Sequence, residues 1–164
     1  MYGARLGVDV KAWNPASRAA QWNVFDFPFA LLRRLNGTDS TFAPRGTSIP
    51  TLLVSAGLVD PQDDEQRAAL GETGSYPRLD AEVAFRTLLL ESPAAGELYV
   101  QASARWFAEP GAARAVRDAG IDRFGYVAVS LASEAGPYVS FTRGRLPVDR
   151  RQDEVYELGF KLYF

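Results

Sequence analysis

The sequence contains no cysteine and no histidine. Without cysteine the chain cannot form a disulfide, a thiolate nucleophile or a cysteine-ligated zinc site. Without histidine it lacks the Ser-His-Asp and Cys-His catalytic systems, imidazole metal ligands and the usual general base near neutral pH. The remaining side-chain chemistry is that of carboxylates, hydroxyls, arginine, tyrosine and the lysines Lys11 and Lys161. We therefore expect no enzymatic activity, no catalytic residues, no metal and no cofactor.

An excess of charge of either sign is also missing. The 164 residues carry 18 Lys and Arg against 20 Asp and Glu, a net charge of −2. Such a weak field does not attract nucleic acid, and no glycine-rich phosphate-binding motif is present. No run of 18 apolar residues encodes a transmembrane helix, and the residues after Met1 do not read as a signal peptide. The length fits a single domain, residues 1–164.

Apolar and polar residues alternate with a period of two along much of the chain, which is typical of β-strands. In Tyr2–Trp13 the even-numbered residues are apolar, and the charged residues fall on odd positions. The same pattern, with varying regularity, predicts strands at Trp22–Arg34, Thr47–Val59, Leu79–Leu89, Leu98–Trp106, Phe124–Ser133, Tyr138–Arg145 and Tyr156–Phe164. Pro28 and Pro50 restrict the first two of these to an edge, an end or a bulge. The sequence thus predicts about eight strands.

Short and long connections alternate in the second half of the chain. Ser92–Gly96 and Glu134–Gly136 read as tight turns. The long polar connections are Asp60–Pro77, Glu109–Asp122 and Leu146–Asp153, with short helices predicted at Asp63–Leu70 and Ala112–Ala119. This alternation indicates antiparallel up-and-down strands, with short turns at one rim of the sheet and long loops at the other. Asn36–Gly46 is an exception, because it is long where a short turn is expected.

Alternation alone does not say which face of the sheet is buried. In a soluble sandwich or barrel the apolar face points inward, whereas in a membrane β-barrel it meets lipid. Predicted strands of roughly 10 to 12 residues, aromatic residues near strand ends, and rims of unequal loop length favour the membrane. We therefore expect an all-β fold, an antiparallel up-and-down transmembrane β-barrel.

The final segment, Tyr156-Glu157-Leu158-Gly159-Phe160-Lys161-Leu162-Tyr163-Phe164, resembles the C-terminal insertion signal of bacterial outer-membrane β-barrel proteins. In that family a terminal aromatic residue is preceded by alternating apolar residues, with an internal glycine. The positions that carry the resemblance are Tyr156, Leu158, Gly159, Phe160, Leu162 and Phe164. The resemblance implies recognition by the barrel-assembly machinery and a periplasmic C-terminus. With about eight strands it implies the small barrels of the OmpA, OmpX and OmpW type, with strand one running outward.

The polar positions of the predicted strands would then point into the lumen. They are Arg5, Asp9, Lys11, Asp80, Glu82, Arg86, Glu97, Gln101, Arg105, Glu157 and Lys161. The interior of an eight-stranded barrel is just wide enough for side chains to fill, and buried charges need partners. We expect an ion-pair network that fills the lumen, the alternative being a polar path for small solutes. The pair Asp80 and Glu82 does not suggest a glycosidase site, because no cleft is indicated.

A small basic group lies near the last long connection. Its members are Arg143, Arg145, Arg150 and Arg151. On the outer face these arginines would contact anionic lipopolysaccharide. The alternative is that they are ordinary surface arginines.

The sequence predicts a non-enzymatic protein of the bacterial outer membrane with a structural or interaction role, exercised through surface loops. Its expected partners are outer-membrane lipid, lipopolysaccharide and the barrel-assembly machinery, with no nucleic acid. One alternative is a soluble lipocalin-like barrel that binds a small apolar ligand. Another is the C-terminal part of a larger porin or transporter barrel.

Overall fold

The computed structural model describes residues 2–8, 22–45, 47–61, 65–145 and 152–161. They form a seven-stranded sheet in which each strand pairs with the next along the chain. The strands are β1 (Tyr2–Val8), β2 (Thr51–Val59), β3 (Tyr76–Ser92), β4 (Gly96–Ala108), β5 (Arg123–Ser133), β6 (Pro137–Arg145) and β7 (Gln152–Phe160). The connections contain the helices α1 (Phe27–Leu35), α2 (Glu65–Ala69) and α3 (Arg114–Asp118).

The predicted antiparallel up-and-down arrangement is confirmed. Every pair of neighbouring strands is antiparallel. The tight turns after β3 and β5 depend on Gly96 and Gly136, which have φ of 65° and 116°. These left-handed conformations suit glycine, which has no Cβ. The short helices predicted between β2 and β3 and between β4 and β5 are also present, as α2 and α3.

The strand predicted at Trp22–Arg34 is wrong, because this segment contains α1. Pro28 lies in the first turn of the helix, where its missing N–H is not needed and its fixed φ suits the helix. The alternation of Phe25, Phe27 and Phe29, which suggested a strand, spans the helix start. The described residues therefore form seven strands instead of the predicted eight.

The loss of this strand changes the direction of the first one. Two rims are defined by the connections. The long-loop rim carries residues 60–75 and 109–122, and the short-turn rim carries residues 93–95 and 134–136. Because Tyr2 pairs with Leu58, β1 begins at the long-loop rim and runs toward the short-turn rim, opposite to the predicted direction. Its connection to β2 therefore ends at the short-turn rim. Asn36–Gly46 is long because it belongs to this connection, after α1, and is not a turn between two strands.

The sheet is open over the described residues. There β1 pairs only with β2, and β7 pairs only with β6, so the predicted closed barrel is not present in this part of the chain. With an odd number of up-and-down strands, β1 and β7 run in the same direction.

The buried apolar cluster of the described residues lies at one end of the sheet and not against its middle. It consists of Val59, Tyr76, Ala112 and Val116, with Ile121 packed beside it. These residues come from the β4–β5 connection and from the adjacent ends of β2 and β3. None of the described helices is long and apolar enough to cross a bilayer.

Candidate functional site

One face of the sheet, here called the apolar face, carries large apolar side chains that are exposed. Pairing registers place these residues on the same side of successive strands, so that Val127, for example, lies in line with Ala104 and Val83. Its exposed members are Leu52, Val54, Leu58, Leu79, Val83, Trp106, Val127, Val129, Leu131, Val139, Tyr156, Leu158 and Phe160. The exposed fraction reaches 85% at Leu158. A contiguous apolar surface of this kind marks contact with a membrane or with another protein.

The opposite face, here called the polar face, surrounds a hollow of about 730 Å³. Short side chains line its centre across β2 to β6, which leaves room above the sheet. They are Thr51, Ala84, Ser103, Ala128, Ser130, Ser140 and Thr142. Arg86, Tyr99 and Gln101 line the same hollow nearer the short-turn rim. Arg45 also lines it, and Ile49 and Leu88 add apolar surface at its edge. The hollow therefore offers hydroxyls and two guanidiniums to a polar solute or to water.

Among the charged residues predicted to pair inside the lumen, those of β3 and β4 lie on or beside this face and have different kinds of partner. Asp80 and Arg105 approach to 3.8 Å between carboxylate and guanidinium, and Glu82 lines the same small pocket. Arg86 instead stacks its guanidinium 3.9 Å from the centre of the Tyr99 ring. Tyrosine therefore takes the place of a carboxylate as the neighbour of this arginine.

A second tyrosine, Tyr138, contacts charged residues in β7 and just after it. The Tyr138 hydroxyl donates a hydrogen bond to Glu157, and the Lys161 ammonium lies 5.2 Å from the centre of the same ring. At the turn after β3, Glu97 likewise accepts a hydrogen bond from Tyr99. Arg5 pairs with Ser55 in the register of β1 and β2. Asp9 and Lys11 lie outside the described residues.

The strand that resembles an insertion signal is β7, and its apolar residues face outward. Tyr156, Leu158 and Phe160 are exposed on the apolar face. Gly159 lies on the polar face opposite Tyr138, where an added Cβ would come within 2.5 Å of ring atom Cε1. A glycine at this position therefore lets the tyrosine ring lie flat across the strand. Leu162 and Phe164 lie outside the described residues.

The predicted basic group is divided by the structure. Arg143 lies on the apolar side of β6 and pairs with Glu154 of β7 at 3.4 Å. Arg145 lies against the α3 connection, with a guanidinium nitrogen 3.2 Å from where a Cβ of Gly120 would be. Arg150 and Arg151 lie outside the described residues.

A buried ion pair that the sequence did not predict lies at the short-turn rim. Arg33 of α1 and Asp26 have no exposed surface, and their closest atoms, Nη2 and Oδ2, are 2.7 Å apart. Asp26 also accepts a hydrogen bond from the Thr87 hydroxyl, and Arg33 donates to Asp39 at 2.6 Å. Burial by itself lowers the pKa of Arg33, but the hydrogen bonds to Asp26 and Asp39 outweigh it, so this pKa is raised. The guanidinium therefore remains charged.

A second unpredicted cluster lies at the long-loop rim. Glu109 is fully buried, and its Oε1 accepts hydrogen bonds of 2.9 Å from both Arg67 and Arg78. Its Oε2 accepts a hydrogen bond of 3.1 Å from the Tyr76 hydroxyl. Arg78 also lies 4.2 Å from the centre of the Phe107 ring. One carboxylate thus joins α2, β3 and the start of the β4–β5 connection.

The sequence did contain a signal for the first of these clusters. Asp26 followed by Pro28 is a typical helix start, and Arg33 falls two turns after Asp26 on the same helix side. Glu109, Arg67 and Arg78 are far apart in sequence and lie in or next to loops, so no local pattern pointed to them. Among the residues that the structure describes, no three carboxylates are grouped so that they would hold a metal ion.

In comparisons with known proteins, no protein-family model, curated protein or solved structure matches the chain significantly.

Proposed function

We propose that this chain forms the wall of a non-enzymatic bacterial outer-membrane β-barrel. The apolar face contacts lipid, and the polar face lines a water-filled interior. The observation that carries the proposal is the exposure of valine, leucine, tryptophan and phenylalanine across β2 to β7, opposite a hollow lined by hydroxyls. In water each Å² of such a surface is unfavourable by roughly 25 cal/mol, whereas in lipid this cost vanishes.

Closure of the proposed barrel requires at least one further strand. Because β1 and β7 run in the same direction, they cannot pair antiparallel with each other. Bacterial single-chain barrels have an even number of antiparallel strands. The seven described strands therefore favour a barrel completed by pairing beyond them, as in the alternative of a larger barrel.

The proposed role is structural or interactive and is exercised at the long-loop rim. There the two connections form a packed cap around Glu109 and the cluster of Val59, Tyr76, Ala112 and Val116. In the outer membrane this cap would face the cell exterior. Arg143, at the same end of the apolar face, would lie at the level of the lipopolysaccharide phosphates. The barrel-assembly machinery would recognise the outward-facing apolar residues of β7.

The soluble lipocalin-like alternative is less well supported. A lipocalin-like barrel needs an apolar interior to hold an apolar ligand. Here serine and threonine line the centre of the hollow, with Ile49 and Leu88 at its edge, while the exposed valines and leucines of the sheet lie on the other face. A soluble barrel of this kind would expose that apolar face to water.

Val129 and Ser130 provide a matched test, because they are neighbours on β5 and point to opposite faces. In phosphatidylcholine vesicles we expect Val129→Lys to destabilise the folded protein by about 2–4 kcal/mol, and Ser130→Lys by much less. Urea titration followed by heat-modifiable gel migration measures both variants. If Val129→Lys instead gives a folded monomer in buffer without detergent, the membrane proposal is wrong.

A further inference from the structure

Residues 22–45, here called the rim segment, pack against β3 at the short-turn rim. The rings of Phe29 and Phe85 are 5.7 Å apart, and Arg33 donates a hydrogen bond to the Thr87 hydroxyl. Phe85 and Thr87 share a side of β3 with Val83, which belongs to the apolar face. These contacts of the rim segment therefore lie on the apolar-face side of β3, whereas Arg45, at the end of the segment, lines the hollow.

The segment also covers a sheet edge. Strand β2 begins at Thr51, opposite Ala84, so the rest of β3 has no partner in β2. The rim segment bonds to the backbone there instead. Arg33 donates to Leu88 O at 2.8 Å, Asn36 donates to Leu89 O at 3.1 Å, and Glu91 N donates to Thr38 Oγ1 at 3.1 Å. Backbone groups near lipid need such partners, because water is not available to them.

The polarity of the rim segment is inverted relative to a segment in water. Asp26 and Arg33 are completely buried, and Asn23 is nearly so. Trp22 and Leu35, by contrast, are each 73% exposed. The other exposed apolar side chains are Val24, Phe25, Leu31, Leu32 and Phe42. A segment that buries the Asp26–Arg33 pair and exposes its large apolar side chains is adapted to an apolar medium.

The composition of the exposed surface indicates which apolar medium covers it. Trp22, Phe27 and Phe42 form a chain of ring contacts, with centroids 6.3 Å and 5.3 Å apart. Tryptophan and phenylalanine favour the level of the lipid headgroups and upper acyl chains. The same segment packs against β3 through Phe85, on the side of the apolar face. Arg34, which is exposed on the same segment, suits anionic headgroups.

We propose that the rim segment is an interfacial anchor that lies in the headgroup layer of the leaflet at the short-turn rim. The exposed side of α1 and the rings of Trp22, Phe25 and Phe42 enter the lipid, while the Asp26–Arg33 pair holds the segment to β3. This inference rests on the proposed function, because it requires the apolar face to contact the same bilayer.

Single-tryptophan variants separate the two claims. The double substitution Trp13→Phe and Trp106→Phe leaves Trp22 as the reporter, whereas Trp13→Phe and Trp22→Phe leaves Trp106 on the apolar face. Each is reconstituted in phosphatidylcholine vesicles whose lipids carry bromine near either the carbonyl or the methyl end of the acyl chains. We expect carbonyl-end bromine to reduce Trp22 emission by roughly half, and methyl-end bromine to reduce it less. Both positions should quench Trp106.

The possible results lead to different conclusions. If Trp106 is quenched and Trp22 is not, the anchor is wrong and the membrane barrel stands. If neither is quenched, both proposals fail. A blue-shifted Trp22 emission without quenching means that protein covers the segment, which also overturns the anchor.

A pair of leucine substitutions tests the same anchor by a second route. Leu35 is exposed on the rim segment, and Leu70 is exposed at the long-loop rim. We expect Leu35→Asp to reduce Trp22 quenching about twofold, and Leu70→Asp to leave it unchanged. Equal effects of the two substitutions would contradict an anchor confined to the short-turn rim.

Discussion

The two rims of the sheet attach their connections to β3 in the same way. At the short-turn rim Asp26 and Arg33 form a fully buried pair beside Thr87 of β3. At the long-loop rim the buried carboxylate of Glu109 binds Arg78 of β3 and Arg67 of α2. Both connections are therefore fixed by a desolvated arginine–carboxylate contact.

The surfaces next to these two buried arginine–carboxylate contacts are opposite in polarity. At the long-loop rim the apolar residues Val59, Ala112 and Val116 are buried beneath the connections. At the short-turn rim the apolar residues Trp22, Phe25 and Leu35 are exposed, and the Asp26–Arg33 pair is buried. The same anchoring contact thus supports a surface suited to water at one rim and a surface suited to lipid at the other. The difference gives the sheet an orientation relative to the proposed bilayer.

The largest effect on stability should come from breaking the Asp26–Arg33 pair at the short-turn rim. Replacing Arg33 with methionine leaves the Asp26 carboxylate buried without its counter-ion, which should lower the free energy of unfolding by about 3–5 kcal/mol. Arg34→Met is the matched control, because Arg34 is exposed on the same helix. We expect the control to change stability by less than about 1 kcal/mol. Urea titration in detergent micelles measures both, and equal losses would contradict the importance of the buried pair.

The corresponding change at the long-loop rim is Glu109→Gln. The amide keeps the shape but loses the charge that binds two arginines, so we expect a loss of about 2–3 kcal/mol. Glu65→Gln, on the exposed side of α2, should have little effect. Limited proteolysis should show faster cleavage within residues 65–75 and 109–122 in Glu109→Gln, with the rim segment still protected. Cleavage of the rim segment instead would mean that the two rims are not independent.

The period-two pattern was sufficient to predict most of the sheet. Strands β2 to β7 each overlap a segment that alternation indicated, and the antiparallel order follows from the spacing of turns and loops. The start of β7 was predicted too late, because the strand begins at Gln152, inside the predicted connection Leu146–Asp153. These features depend on residues close together in the sequence. The error at Trp22–Arg34 arose because three phenylalanines alternate across a helix start, and the proline in the first turn was taken as a sign of a strand edge.

The polar clusters were harder to predict, because their members meet only in the folded chain. Charges on the predicted inner face were expected to pair with each other, but Arg86 and Lys161 lie against tyrosine rings. Strand alternation predicts on which face of the sheet a residue lies. It does not predict which side chain lies next to it, because that depends on the register between strands. Thr87 shows the same limit, since nothing in β3 indicated that it would bind Asp26 of a preceding helix.

The smallest predicted effect is a change in the hydrogen-exchange rate of one backbone amide at the short-turn rim, compared with one amide at the long-loop rim. Thr38→Val keeps the side-chain shape but removes the oxygen that accepts the hydrogen bond of Glu91 N at the short-turn rim. A neutral hydrogen bond contributes about 1 kcal/mol, so hydrogen exchange at the Glu91 amide should become roughly fivefold faster. The Ala113 amide, which donates to Glu72 at the long-loop rim, is the internal control and should exchange unchanged. If Glu91 exchange does not respond, the hydroxyl of Thr38 does not protect the edge of β3.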